Sequence, residues 1–187
     1  MSCKNDKDKI DNMKSILKNN SKYYMFIDLG GNKKQLLSNG DSKKTVEKEA
    51  RKIGDLKLEN ILLDEQLNIK VADFGFSQYK HVNKLKSYKG TMTYMAPEIK
   101  DGIVYDGKQT DIFSVGVILF IIVMGIFPFK EAKKDEYFYA LLHNKKHDKY
   151  WRKVGGENLS SEFKDLVTKI FSYEGKSRPT IEDIKNH

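Results

Sequence analysis

Apolar residues recur along this chain with several spacings, and each spacing predicts a different element. From Ile112 to Phe129 there is no charged residue, and Val115–Gly116–Val117–Ile118–Leu119–Phe120–Ile121–Ile122–Val123–Met124 is apolar on every face. Such a run predicts a helix buried on all sides. It counts 18 residues, is interrupted by Ser114, Gly116, Gly125 and Pro128, and lacks aromatic and basic anchors on both flanks. A bilayer span needs roughly 20 such residues with those anchors, so the core-helix reading is the better one. Upstream, Asn60–Ile61–Leu62–Leu63 predicts a short strand and Asp64–Glu65–Gln66 its turn. Leu67, Ile69 and Val71 then alternate with Asn68 and Lys70, as a half-buried return strand does. Amphipathic patterns at about 134–144 and 160–172 predict two more helices. Arg178–Pro179–Thr180 opens a last one, with Thr180 as N-cap.

The remaining segments carry weaker patterns. Residues 1–22 are rich in Lys, Asn and Asp, with Ile10, Met13, Ile16 and Leu17 at helical spacing, which fits an amphipathic helix or a disordered lead-in. Tyr23–Ile27 has the aromatic and β-branched content of a strand, ended by Gly30–Gly31. A turn follows at Asn39–Gly40–Asp41, and Ser42 is placed to cap a helix through about Lys52. Gly75 to Lys89 is a polar loop. The layout is α+β, mainly helical with a few short strands.

Composition narrows the class. Of 187 residues, 39% are hydrophobic and 32% charged, a globular balance rather than a disordered one. The lone Cys3 cannot form an internal disulfide, which points to a reducing, intracellular compartment. Met1 to Asp11 has no apolar core of a signal peptide. The net charge of +8 comes from lysines interspersed with acids. No basic stripe with interleaved aromatics is present, so a solvated surface is expected rather than a nucleic-acid interface.

The chemistry lies around the predicted hairpin. Asp55–Leu56–Lys57–Leu58–Glu59–Asn60 precedes its first strand, and Asp73–Phe74–Gly75 ends its second, so the hairpin sets two acidic loops side by side. Acids and an amide with one lysine are what phosphoryl transfer asks for: magnesium ligands, a group to orient the nucleophile and a cation for the phosphate. Gly90–Thr91, Tyr94 and Ala96–Pro97–Glu98 follow, and then Asp111, Phe113, Ser114 and Gly116. In this order and spacing the set resembles the eukaryotic-type serine/threonine protein kinases, and the tail is similar to the calcium/calmodulin-dependent and related kinases. The resemblance covers residues 43–187 well, as the helical C-terminal lobe, and residues 23–42 loosely, as a hinge remnant of an incomplete N-terminal lobe.

The resemblance implies roles. Asp55 would accept or orient the hydroxyl proton of a protein substrate, and Lys57 would steady the transferring phosphoryl group. Asn60 and Asp73 would hold Mg²⁺ and with it ATP. Phe74, Gly75, Ser87, Thr91 and Glu98 would belong to the activation segment, with Thr91 contacting both Asp55 and Lys57. Glu98 would pair with Arg178 in a buried ion pair, and Asp111 would hold the catalytic loop by its backbone. The partners implied are ATP and a Ser/Thr-bearing protein, with no nucleic acid and no membrane, in the cytoplasm.

The sequence also departs from the family pattern. Ile53–Gly54 stands where His–Arg is expected, so an arginine that reads an activation-loop phosphate is missing. Glu49–Ala50–Arg51–Lys52 resembles the start of the long helix before the catalytic loop, yet the loop arrives almost at once. The buried helix should therefore lose a packing partner and leave a cavity or an exposed patch. No G-x-G-x-x-G occurs, and no V-A-x-K strand precedes Tyr23. Low or absent activity of this chain alone is the expectation. The alternatives to a working kinase are an inactive pseudokinase serving as a binding or scaffold module, and a non-functional fragment.

Overall fold

Two short antiparallel pairings organise the described residues between 50 and 79. A computed structural model describes residues 50–52, 54–63, 69–73, 78–79 and 90–187. The expectations for residues 1–49, and for Ile53, Phe74, Gly75 and Ser87, lie outside these. Four short strands and six α-helices are present among the described residues. Strand β2 (Ile61–Leu63) pairs antiparallel with β3 (Ile69–Val71), in the register Ile61↔Val71, Leu62↔Lys70 and Leu63↔Ile69. This is the predicted hairpin, one residue shorter at its start because Leu58–Asn60 forms a 3₁₀ turn.

A correction concerns the segment before the Asp55 loop. Ala50–Lys52 is not the end of a helix but strand β1, paired antiparallel with β4 (Gln78–Tyr79). A helix ending at Lys52 would leave its last carbonyls without partners at the approach to the loop, whereas the ladder satisfies them. Strand β4 also falls within the stretch expected to be a polar loop. Asp55 is thus approached from a strand whose partner lies beyond the hairpin, and the loop is clamped from both ends.

Helix α1 is the short Pro97–Lys100, and α2 spans Gly107–Met124 over 18 residues. The apolar run therefore begins its helix five residues before Ile112, where Asp106 caps it by accepting the Lys108 N–H at 2.9 Å. Helix α2 is long and apolar enough to cross a membrane by length and composition, but 61% of that window is buried inside the protein. Val117 and Leu119 are fully enclosed. At Gly116 a Cβ would come within 2.3 Å of Ile170 Cγ2, so glycine is what lets α2 approach α5 (Ser161–Ile170) this closely.

Rings fill the space around α2. Phe113 meets Phe129, Tyr139 and Phe171, with centroids 5.9, 6.3 and 5.4 Å away. Phe120 meets Tyr150, Trp151 and Phe171. Tyr139 arrives on α3 (Tyr137–His143), Tyr150 and Trp151 on α4 (His147–Lys153), Phe171 at the end of α5 and Phe129 in the loop after α2. The α4 helix carries no clear sequence pattern; its two buried rings, Tyr150 and Trp151, hold it. The closing helix α6 (Ile181–Asn186) starts at Thr180 with a reciprocal capping box to Asp183, as expected. The end of α2 is the under-covered part: Ile122 is 42% exposed, and Ile126 and Phe127 beyond it are 48% and 47%.

Candidate active site

The loop between β1 and β2 places an acid and a lysine on adjoining turns. Asp55 is buried, and Lys57 Nζ lies 2.8 Å from its Oδ2. Thr91, brought in from the other side of the hairpin, donates its backbone N–H to Asp55 Oδ1 at 3.0 Å and its hydroxyl to the same oxygen at 2.9 Å. Lys57 Nζ also donates to Thr91 Oγ1 at 3.2 Å. The three side chains form a closed triangle across 36 sequence positions.

Gly90 makes this approach possible. Its φ is +122°, and a Cβ there would stand 3.1 Å from the Gly54 carbonyl oxygen, so a side chain would be both strained and crowded.

Electrostatics follow from these contacts. Burial pushes the Asp55 carboxyl up, but the hydrogen bonds from Lys57 and Thr91 together outweigh it and hold the group below its ordinary 3.8. The bond to Asp55 raises Lys57 above 10.5, against the opposing effect of burial, with Glu59 and Asp73 adding attraction. Both groups are therefore charged at neutral pH.

The two remaining candidate residues sit beside this pair. Asn60 ends the 3₁₀ turn, buried, and its Nδ2 donates to the Asp55 carbonyl at 2.9 Å. That bond fixes the amide and leaves its oxygen as the acceptor end. The Asn60 carbonyl accepts the Ala72 N–H at 2.8 Å, which brings Asp73 in directly after the ladder. Asp73 is exposed, with φ +56°, a left-handed conformation that aspartate tolerates better than most residues. Among the described residues no three His, Cys, Asp or Glu side chains converge as a metal cage. A carboxylate and an amide oxygen are nonetheless the kind of hard donors that Mg²⁺ takes, a cation seldom fully caged by protein.

The supporting residues are built differently. Asp111 accepts the Gly54 N–H at 3.2 Å through Oδ1, tying α2 to the Asp55 loop. Glu98 and Arg178 form a two-pronged pair at 2.7 and 2.6 Å, and Arg178 is only 3% exposed. Arg178 also donates to the carbonyls of Ser172, Gln109 and Tyr173, and its guanidinium lies over the Phe113 ring.

Two residues carry more than the sequence reading gave them. Tyr94 is buried, its carbonyl accepts the Ser114 hydroxyl at 3.0 Å, and its ring meets Phe127 edge-on at 5.8 Å. Its place in the Gly90-to-Glu98 motif was the signal available. Lys100 has a side chain 1% exposed, held by Glu131 at 3.1 Å. It joins α1 to the loop after α2, and nothing in its sequence context marks it.

Comparison with known proteins agrees with this geometry. A family model described as the protein kinase domain matches residues 53–187. The SNF-related serine/threonine-protein kinase of Homo sapiens is 38% identical over 135 residues, which is 71% of this chain and 17% of that protein. Sucrose non-fermenting protein kinase 1 of Fusarium virguliforme is 37% identical over 132 residues, covering 70% of this chain and 18% of the relative. Serine/threonine-protein kinase SRK2B of Arabidopsis thaliana is 36% identical over 136 residues, covering 71% and 37%. The chain thus spans well under half the length of these relatives. The match runs over the loop, the hairpin and the helices that carry the Asp55 triangle and the Glu98–Arg178 pair, and on it this chain belongs to the eukaryotic-type serine/threonine protein kinase family.

Proposed function

We propose that the Asp55 centre transfers the terminal phosphoryl group of ATP to a serine or threonine hydroxyl of a protein substrate, in an intracellular, soluble setting. The observation that carries this is how Asp55 is saturated. An ionised carboxylate offers roughly four acceptor positions. Thr91 takes two on Oδ1 and Lys57 takes one on Oδ2. Among the described residues the position left open is on Oδ2, beside the Lys57 ammonium, where a hydroxyl would be oriented for attack. Asn60 and Asp73 would hold Mg²⁺, which on binding neutralises charge on the phosphates. Lys57 would attract the same phosphates from the substrate side, and Thr91 would keep both side chains in place.

The rate expected of residues 1–187 alone is low. Positioning and charge stabilisation supply most of the catalysis of phosphoryl transfer, and no G-x-G-x-x-G lies within these 187 residues. The test uses the purified chain with radiolabelled ATP, Mg²⁺ and a generic basic protein, with Asp55→Asn beside it. A slow incorporation into serine or threonine that disappears in Asp55→Asn supports the reading. Binding of a fluorescent Mg²⁺–nucleotide is measured in parallel, and Asp73→Asn should weaken it. Parental binding in Asp73→Asn together with no transfer by the parent would sink the proposal in favour of a binding or scaffold role.

A further inference from the structure

The exposed side of α4 is charged in a way that no other described helix is. Its inner side is apolar: Tyr150 and Trp151, with Val154 just beyond, are buried and hold it to the core. On the outside Lys146, Lys149 and Lys153 recur at i, i+3 and i+7 and form one stripe. Arg152 stands beside it, and all four are exposed. Asp148 is the one exposed acid from residue 145 to residue 153. Glu157 reaches Arg152 only at 3.9 Å, with both side chains largely exposed, a contact of little worth. Lys145, in the turn before, shares a cleft with Glu174, which offsets its charge. Lys146, Lys149 and Lys153 have no ion-pair partner among the described residues.

This stripe works against the helix that carries it. Side chains at these spacings have Cβ atoms about 5–6 Å apart, inside the Debye length of about 8 Å at physiological salt. Lys149 is therefore repelled by Lys146, Arg152 and Lys153 together. Lys146 also occupies the N-cap without a capping bond, where serine, threonine, aspartate or asparagine would accept an N–H and a cation opposes the helix dipole. Other helices avoid such repulsion. On α5 Lys169 meets Asp165 at i,i+4, and on α6 Lys185 meets Glu182 at i,i+3. A row of unpaired cations, kept against the stability of its own helix, points to an anion supplied from outside.

We propose that the outer face of α4 adsorbs to an anionic phospholipid surface, with Lys146, Lys149 and Lys153 over the headgroups and Arg152 at the edge. Two features select this partner. The rings of α4 are buried, so the face offers no stacking platform for bases and no apolar anchor for an acidic peptide. Asp148 and Glu157 also interrupt the cations. A nucleic-acid duplex carries a fixed charge about every 1.7 Å of its axis and would face those carboxylates. Mobile lipids instead set neutral headgroups opposite the acids and gather anionic ones under the lysines. The cytoplasmic leaflet of a cell membrane carries such anionic lipids. Adsorption places no helix in the bilayer, which agrees with α2 being a core helix, and it does not depend on transfer by Asp55.

The test floats the full chain with phosphatidylcholine vesicles containing about a third phosphatidylserine, and with pure phosphatidylcholine vesicles. Binding should require phosphatidylserine and fall as salt is raised. Lys149→Gln should weaken it about fivefold, the worth of one surface charge at such a membrane. Lys146→Gln, Lys149→Gln and Lys153→Gln combined should weaken it about a hundredfold, while the melting temperature holds or rises as the repulsion is relieved. The control combines Lys108→Gln, Lys130→Gln and Lys176→Gln, three exposed lysines elsewhere, and changes the net charge equally. It should bind within about twofold of the parent, since distant charges are screened. Equal losses in the two triple variants would reduce the effect to net charge and overturn the proposal. So would a parent chain that does not float, or one that floats equally with pure phosphatidylcholine. Tighter binding at the same salt to a DNA duplex or a glutamate–leucine peptide, followed by fluorescence anisotropy, would overturn it as well.

Discussion

Glu98 and Asp55 are both buried acids held by a basic side chain, and the two arrangements are finished in opposite ways. Around Glu98 it is the cation that is saturated: all five N–H groups of Arg178 are used, two by the carboxylate and three by backbone carbonyls. The fork and the carboxylate match in plane and spacing, and Phe113 covers the guanidinium. Around Asp55 the cation is a lysine with a side chain 23% exposed, the third partner is a threonine, and one acceptor position on Oδ2 stays open. Saturation suits a joint that must hold the segment after Thr91 onto α2. An open acceptor beside a partly solvated ammonium suits a group that must receive something from outside. The same pair of charges thus serves structure or chemistry according to how completely the fold fills the cation's donor positions, five on Arg178 against two bonds from Lys57.

Breaking the saturated pair should give the largest effect. Arg178→Ala strands the Glu98 carboxylate and orphans three carbonyls, so unfolding in urea should shift by about 3–5 kcal/mol. The exposed Lys169–Asp165 pair, at the comparable distance of 2.7 Å, is the control: Lys169→Ala should change stability by no more than about 0.5 kcal/mol. Equal losses in the two variants would show that burial and saturation are not what distinguishes the Glu98 joint.

A backbone substitution probes how Thr91 is delivered. Gly90→Ala forces a side chain into φ +122° and against the Gly54 carbonyl, and strain of this kind costs of order 1–3 kcal/mol. Because the clash is with the catalytic loop itself, the variant should also lower the nucleotide-dependent transfer rate. Gly155→Ala, at φ +74° with nothing within 4 Å, carries strain without the clash. It should lose stability and leave transfer unchanged; the same fall in transfer for both would refute the Thr91 delivery argument.

Thr91 itself sharpens the comparison further. Thr91→Ser keeps the hydroxyl to Asp55 Oδ1 and to Lys57, whereas Thr91→Ala removes both and retains only the backbone N–H. The expected stability loss in Thr91→Ala is about 1 kcal/mol, with a fall in turnover rather than in nucleotide affinity. Parental turnover in Thr91→Ala would mean that Lys57 and the backbone N–H of residue 91 suffice to position Asp55.

Much of this was legible in the sequence, and the misses share a cause. The hairpin, the fully apolar helix, the Thr180 cap and the Glu98–Arg178 partnership follow from period, composition and motif order, because each is decided either locally or by a pattern spanning the chain. Ala50–Lys52 was misread as helix because alanine, arginine and lysine favour helix by themselves. Their partner strand at Gln78–Tyr79 has no signal of its own, and a two-residue ladder is purely a tertiary fact. Helix α4 was missed because Tyr150 and Trp151 are adjacent, giving no helical repeat to count. Within the site, Asp55, Lys57, Asn60 and Asp73 could be named beforehand. The open acceptor on Oδ2 could not, since it depends on which oxygen each donor reaches.

The smallest effect tests the Asp55 side of the comparison through pH. Its folded-state pKa lies below 3.8, so the bonds from Lys57 and Thr91 contribute stability that is fully present above about pH 4, the ordinary range of an unfolded aspartate. That contribution is lost as pH falls through the depressed value. Lys57 is raised above 10.5, so its share persists below that pH and is lost only as pH climbs through the higher folded value. Between those limits the pair's contribution should be flat. Other carboxyls are lowered too: Glu131 by the bond from Lys133, Asp165 by that from Lys169 and Asp183 by that from Thr180. These titrate alike in the parent and in Asp55→Asn, so the difference between the two urea curves isolates Asp55. The gap should be constant from neutral pH down to about pH 4 and narrow below it, as the parent's carboxyl takes up its proton. A gap that stays the same width to the acid limit of folding would mean that Asp55 is not held ionised by its partners. The bonds from Lys57 and Thr91 would then not be what keeps Oδ2 ionised and able to accept a hydroxyl's hydrogen bond.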